Sequence, residues 1–197
     1  MIEYDFADEN MLNVSAKRWH DVREQLTRTF GSDLNCIEIG SWEGRSAIYI
    51  ADNMMGNGTL TLIDLGVKIK TLYKNLQQHP KSKNFEILQG DSFDILSKLS
   101  DKKESYHFIF IDGSKFSCDN LYSLLVAERI LKKGGFIIVD DYRWNRTYEK
   151  NERETPKFGV DLFLKTTLLC EPYDLTGYQA IIMKTKDNKS IKVNNNI

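Results

Sequence analysis

The stretch Ile37-Glu38-Ile39-Gly40-Ser41-Trp42-Glu43-Gly44-Arg45-Ser46 constrains this chain more than any other. Residues 35–39 are mostly apolar and bounded by turn signals, the pattern of a short buried strand. Gly40 permits a sharp turn and a close backbone approach to a ligand. Gly44 lets the following segment pack closely on strand or ligand, and residues 46–52 continue as a helix. A helix that opens there presents unpaired N–H groups and a partial positive charge. Glu38 is acidic, which suits a ligand with hydroxyls or a cationic group better than a bare phosphate. The motif is not the dinucleotide fingerprint Gly-x-Gly-x-x-Gly. Trp42 stands where its middle glycine belongs, and an indole there crowds a pyrophosphate. Taken alone, the stretch also fits an ordinary strand-to-helix turn.

The same alternation continues along the chain. A helix over 15–30 carries Trp19, Val22, Leu26 and Phe30 on one face. Apolar runs at 59–64, 84–88, 106–111 and 136–139 read as strands. Helical patterns at 67–78, 92–99 and 120–131 separate them, the last with Leu121, Leu124, Leu125 and Leu131 on one face. Lys132, Lys133, Gly134 and Gly135 read as its ending. Pro156 opens a helix over 157–168, and strands at 169–174 and 178–184 form a hairpin around Thr176-Gly177. This pattern predicts an α/β, Rossmann-like three-layer α/β/α sandwich. Its seven-stranded sheet is mostly parallel, with one antiparallel strand from the C-terminal hairpin. The length of 197 residues suits a single domain over 1–185 and a frayed polar tail over 186–197.

Composition narrows the function classes. A hydrophobic content of 41% and a charged content of 28% are those of a soluble globular protein. The formal net charge of -1 gives no global field toward nucleic acid or an acidic membrane. Lys68, Lys70, Lys74, Lys81 and Lys83 make one section basic, but without aromatic interleaving they read as a solvated face. Cys36, Cys118 and Cys170 lie far apart without metal-ligand spacing, which points to reduced thiols in the cytoplasm. The first residues lack an apolar signal core, and no run approaches the ~20 apolar residues of a membrane span.

Ligands of such sheets bind beyond the carboxyl ends of the strands. Here those ends carry Glu38 and Gly40, Asp64, Gly90 and Asp91, Asp112, and Asp140 with Asp141. Asp64 is placed to accept hydrogen bonds from ribose hydroxyls, a role shared by dinucleotide and adenosyl binders. Asp91 and Ser92 can read an adenine edge, and Asp91 can equally cap the next helix. Asp112, Asp140 and Asp141 repel one another unless a cation is shared. Oxygen-only ligands favour Mg²⁺, Ca²⁺ or Mn²⁺. Lys115 follows on the loop after Asp112. Beside a dication its pKa should fall, which suits a general base; a solvent-facing lysine is the plainer account.

The segments Glu38-Ile39-Gly40-x-Trp42-x-Gly44-x-Ser46, Asp112-x-x-Lys115 and Asp140-Asp141-x-x-Trp144, in this order, resemble the cation-dependent O-methyltransferases of the catechol and caffeoyl-CoA type. These are class I S-adenosylmethionine-dependent enzymes. The resemblance implies that Glu38, Gly40, Ser41, Trp42 and Ser46 surround the methionine part of the cofactor. Asp64 then binds the ribose and Asp91 and Ser92 the adenine, with Gly44, Gly90 and Asp112 completing that site. Asp112, Asp140 and Asp141 hold the divalent cation, and Lys115 is the base. The family more often has tyrosine at the place of Trp42 and asparagine at the place of Asp141. The macrolide sugar O-methyltransferases are similar in the Asp112-Gly113 turn, but their histidine near the fourth strand has no counterpart just after Asp112. The implied reaction is in-line methyl transfer to a hydroxyl of a small molecule. Residues 1–30 and the loop 144–155 then wall the acceptor, with Tyr142 and Trp144 as candidates to stack on a ring. A homodimer is open. So are three other functions: a metal-independent methyltransferase, a cofactor-binding protein without turnover, and a nicotinamide-dependent oxidoreductase.

Overall fold

The computed structural model describes residues 2–7, 16–144 and 152–190. Seven strands form one sheet: β1 (Cys36–Ile39), β2 (Leu60–Asp64), β3 (Phe85–Gln89), β4 (Tyr106–Ile111), β5 (Leu131–Val139), β6 (Cys170–Asp174) and β7 (Ala180–Lys184). Their spatial order is β3-β2-β1-β4-β5-β7-β6. β1 to β5 run parallel, and β7 lies antiparallel to both β5 and β6. This is the predicted sheet.

The central strands are apolar on both sides because helices cover both faces. Ile37, Ile39, Ile109, Ile111, Ile137 and Val139 pack toward α4 (Ser92–Leu99), α5 (Ser117–Ile130) and α6 (Pro156–Thr166). Leu60, Leu62, Phe108, Phe110 and Phe136 pack toward α1 (Ala16–Phe30), α2 (Arg45–Asn53) and α3 (Ile69–Gln78). Trp19, Val22 and Leu26 of α1 are fully buried in that second layer, as their helical spacing predicts.

Three expectations are corrected. Lys132–Gly135 is not the end of a helix but the bulged start of β5. Leu131 pairs with Tyr106, the register then shifts, and Phe136 pairs with Phe108. The shift is possible because Gly134 takes φ +86° and Gly135 lies so near β4 that a Cβ would sit 2.8 Å from the His107 carbonyl oxygen. α5 starts three residues early, at Ser117, and its Leu125 points to solvent. The tail is not frayed throughout: Asn188 donates its backbone N–H to Glu104 and its amide to the Arg129 carbonyl, which docks 188–190 against the end of α5 and the loop before β4. Residues 191–197, Ser15, positions 8–13 of the expected arm and positions 145–151 of the expected acceptor loop lie outside the described residues. No described helix is long and apolar enough to cross a membrane.

Candidate functional site

The connection reverses between β1 and β4. From β1 the chain winds outward through β2 to β3, then returns across to β4 and β5. Such a switch point leaves a crevice at the carboxyl ends of the two central strands. Gly40 and Asp112 close it from either side. A Cβ on Gly40 would stand 2.5 Å from both the Asp112 carbonyl oxygen and Gly113 Cα, and its φ is +89°. The close approach expected of this glycine is therefore to the neighbouring loop. Gly44 has the same kind of role: at φ +87° it caps α2, and a Cβ would press on Leu72 of α3 at 2.9 Å. Trp42, also at positive φ, leaves its indole half exposed beneath the Lys68 ammonium, 5.6 Å from the ring centre.

Asp64 holds this turn. Its Oδ2 accepts from the backbone N–H groups of Ser41 (3.0 Å) and Trp42 (2.9 Å), and its Oδ1 from that of Gly66 (2.6 Å). A carboxylate offers about four acceptor positions, so one remains for a ligand hydroxyl. Asp91 caps α4 by accepting from the Phe93 N–H at 2.8 Å, the plainer of its two expected roles. Ser92 follows as the first residue of that helix, and Gly90, at φ +152°, leads into it.

Glu38 is fully buried, and neither of its oxygens has a hydrogen-bond partner among the described residues. The Ser41 hydroxyl is likewise buried and unpaired. Burial pushes the Glu38 carboxyl up to about 8; the Ser46 and Ser41 hydroxyls, near it but outside hydrogen-bonding geometry, oppose the shift, and the charges of Asp112 and Asp64 add to it. Buried polar groups are rarely left unpaired in the interior of a protein. Glu38 thus stands at the crevice wall with hydrogen-bonding capacity that the described residues do not use.

On the other side of the crevice, Asp112, Asp140 and Asp141 each offer an oxygen, all within 4.8 Å of one another. Burial pushes Asp112 up to about 7, with Asp140 adding and Lys115 opposing. Burial also raises Asp140, against a hydrogen bond from Gln179. Asp141 takes φ +55°, a left-handed conformation that aspartate and asparagine both tolerate. Lys115 sits among them, 2.6 Å from Asp112 Oδ1 and paired with Asp141 Oδ2. In this ion-paired arrangement Lys115 is held protonated. Burial alone would lower the ammonium pKa, but the two carboxylates outweigh burial and hold it above its usual value. The solvent-facing alternative for Lys115 fails.

Tyr142 does not present its ring for stacking. It is buried; its hydroxyl donates to Asp161 at 2.8 Å, and the Lys157 ammonium covers the ring. Trp144 is partly exposed at the end of that turn.

Two contributions were not legible in the sequence. Gln179, 3% exposed, donates to Asp140 Oδ1 at 2.8 Å and accepts from the Trp19 indole at 2.7 Å. Glu43 is buried and accepts from the Ala7 N–H at 2.7 Å, which fastens the first residues onto the glycine turn. Asn75 of α3 completes that clasp by exchanging two bonds with the Asp5 backbone. No local pattern marks such contacts; antiparallel pairing of Val139 with Ala180, once known, sets Gln179 opposite Asp140.

Comparison with known proteins places the fold in a family. A family model described as a methyltransferase domain matches residues 37–142. The tapetum-specific methyltransferase 1 of Arabidopsis thaliana is 28% identical over 124 residues, 62% of this chain and 52% of its own length. The probable caffeoyl-CoA O-methyltransferase 3 of Dictyostelium discoideum is 31% identical over 111 residues, 53% of this chain and 42% of its own. The chain thus spans about half the length of the curated relatives it matches. Among solved structures, the O-methyltransferase TomG of Streptomyces achromogenes, in complex with SAM, superposes with a TM-score of 0.72. It is 19% identical, with 92% of this chain and 84% of that one covered, a likeness of fold. The family match runs from β1 and the glycine turn to the carboxylate pair after β5, and by it this chain belongs to the methyltransferase-domain family.

Proposed function

We propose that this chain is an S-adenosylmethionine-dependent O-methyltransferase that acts on a hydroxyl of a small molecule, a diol, catechol-like compound or sugar, with a divalent cation. The observation that carries the reading is the junction of two half-sites. The turn with its unpaired Glu38 meets the loop of the three-carboxylate cluster through the Gly40–Asp112 contact. The residues fit both groups. The desolvated Glu38 suits a cationic amine, and three hard oxygens within 4.8 Å of one another, two of them already around an ammonium, suit Mg²⁺, with Ca²⁺ or Mn²⁺ as substitutes.

When bound, the cofactor supplies an electrophilic methyl group, and the cation supplies Lewis-acid polarisation of the acceptor hydroxyl. The chain does the rest. Glu38 pairs the amine of the methionine part, with Ser41 and Ser46 beside it. Asp64 lends its remaining lone pair to a ribose hydroxyl while it keeps the turn in shape. Asp91 and Ser92 border the adenine end, and Trp42 borders the open side. Asp112, Asp140 and Asp141 hold the cation. Lys115, released by Asp112 and Asp141 if these hold the cation, would give its proton to solvent, and its neutral Nζ would then take the acceptor proton. Alignment of acceptor oxygen and methyl group supplies most of the acceleration.

Calorimetric titration with S-adenosylhomocysteine tests the cofactor, and thermal unfolding with and without Mg²⁺ tests the cation. The expected result is a Kd on the order of micromolar for wild type and Asp140→Asn alike. Mg²⁺ should raise the midpoint of wild type and leave that of Asp140→Asn unchanged. Asp64→Ala is a poor probe here because it also releases three backbone N–H groups. No binding of S-adenosylhomocysteine under any condition would overturn the reading.

A further inference from the structure

We infer that Gln179 is the positioning residue for Asp140, and that Trp19 of α1 sets the direction in which the Gln179 amide points. The inference rests on the cation site proposed above.

An amide can face either way, with its oxygen and nitrogen exchanged. The Trp19 indole settles the choice, because its N–H only donates. Gln179 must therefore turn Oε1 toward Trp19, at 2.7 Å, and its NH₂ group falls against Asp140 Oδ1, at 2.8 Å. The flipped amide would set a donor against a donor and an oxygen against a carboxylate. Both contacts would be lost together.

Each member of the chain is held. Trp19 is fully buried, with its ring 4.8 Å from Phe110, 5.7 Å from Phe108 and 5.4 Å from Tyr49. Phe110 stands two residues before Asp112, so the indole that orients Gln179 also abuts β4, the strand that delivers Asp112. The residue before Trp19 in α1 fixes the Gln179 backbone. Arg18 donates to the Gln179 carbonyl at 3.3 Å and to Thr176 Oγ1 at 3.1 Å, and it pairs with Asp174. Asp140 Oδ1 is thereby engaged, and the carboxylate is held in one orientation beside Asp112 and Asp141. Glutamate has no donor and could not do this. A methionine side chain fills the same space without any polar group.

The test is Mn²⁺ binding, read from the electron paramagnetic resonance signal of the free ion, on wild type, Gln179→Met and Trp19→Phe. S-adenosylhomocysteine titration runs beside it. Loss of a partner that orients a metal ligand weakens metal binding by about 10- to 100-fold, and Gln179→Met should fall in that range. Trp19→Phe keeps the amide but frees its direction, so its loss should be smaller and of the same sign. Affinity for S-adenosylhomocysteine should stay within about twofold of wild type, since neither residue touches the glycine turn. If Gln179→Met does not fold, Trp19→Phe decides. Wild-type Mn²⁺ affinity in the folded variants would overturn the positioning role alone. So would a parallel loss of S-adenosylhomocysteine binding, which marks general damage. A wild type that binds S-adenosylhomocysteine but no Mn²⁺ would overturn the cation site and this role with it.

Discussion

The two ends of the sheet treat their polar groups in opposite ways. At the amino end, where β1 and β4 begin and β7 finishes, charge and polarity are closed upon themselves. Lys184 is fully buried, yet its ammonium donates to the Leu131 carbonyl (2.7 Å), to Asn188 (2.7 Å) and to Glu104 (3.3 Å). His107 there accepts the Asn35 N–H at 2.8 Å, and the Asn84 amide donates to the Asn57 and Gly58 carbonyls. At the carboxyl end Glu38 has no hydrogen-bond partner among the described residues, and three carboxylates gather with one lysine paired to two of them. Stability alone would select the first arrangement at both ends. Local conflict of this kind is expected at functional sites, and it supports the site proposed above.

The sharpest way to break this contrast is Gly40→Ala. The added Cβ meets the Asp112 carbonyl oxygen and Gly113 Cα at 2.5 Å in a left-handed backbone, so the two halves of the carboxyl end must separate. The expected loss in urea unfolding is about 2–4 kcal/mol, with no detectable binding of S-adenosylhomocysteine. Unchanged binding in this variant would disprove the junction of the two half-sites.

Lys184→Ala attacks the other end. It leaves the Leu131 carbonyl and Glu104 without their ammonium partner, and stability should fall by roughly 2–3 kcal/mol. Binding of S-adenosylhomocysteine to the folded fraction should not change. A large loss of binding would show that the two ends are coupled.

Glu38→Gln gives the smallest effect and the most specific one. Burial raises the folded-state pKa of Glu38 to about 8, above the unfolded value of ordinary glutamate. Its contribution to ligand-free stability is therefore complete at low pH and is lost as pH rises through about 8. Asp112, pushed up to about 7, titrates in the same direction. The variant should flatten part of the fall in stability between pH 5 and pH 8, by about 1–2 kcal/mol at the upper limit, and weaken S-adenosylhomocysteine binding. Identical pH profiles of unfolding for variant and wild type would mean that Glu38 is solvated.

Much of this was legible in the residues alone. Periods of two and 3.6 in the apolar residues reveal the strands and helices, and their alternation implies the parallel sheet with its antiparallel finish. Chain order then sends every parallel strand to the same rim, so the acids that follow each strand had to meet there. The errors arose where a short sequence has two conformations of similar cost. Lys132–Gly135 can end a helix or bulge a strand, and the pairing of Leu131 with Tyr106 chose the bulge. Tyr142 can line a pocket or pack, and Asp161 and Lys157 of α6 chose packing.

By itself, then, the sequence determined the fold class and which acids share an edge, because these follow from periodicity and direction along one chain. Only the tertiary structure decided what each acid touches. That Asp64 holds the turn, that Lys115 lies between two carboxylates, that Glu38 is left bare and that Gln179 reaches from β7 to Asp140 all depend on distances between residues remote in the chain. The free energy of a buried charge is set by partners a few ångströms away in space, and no local pattern of residues encodes those.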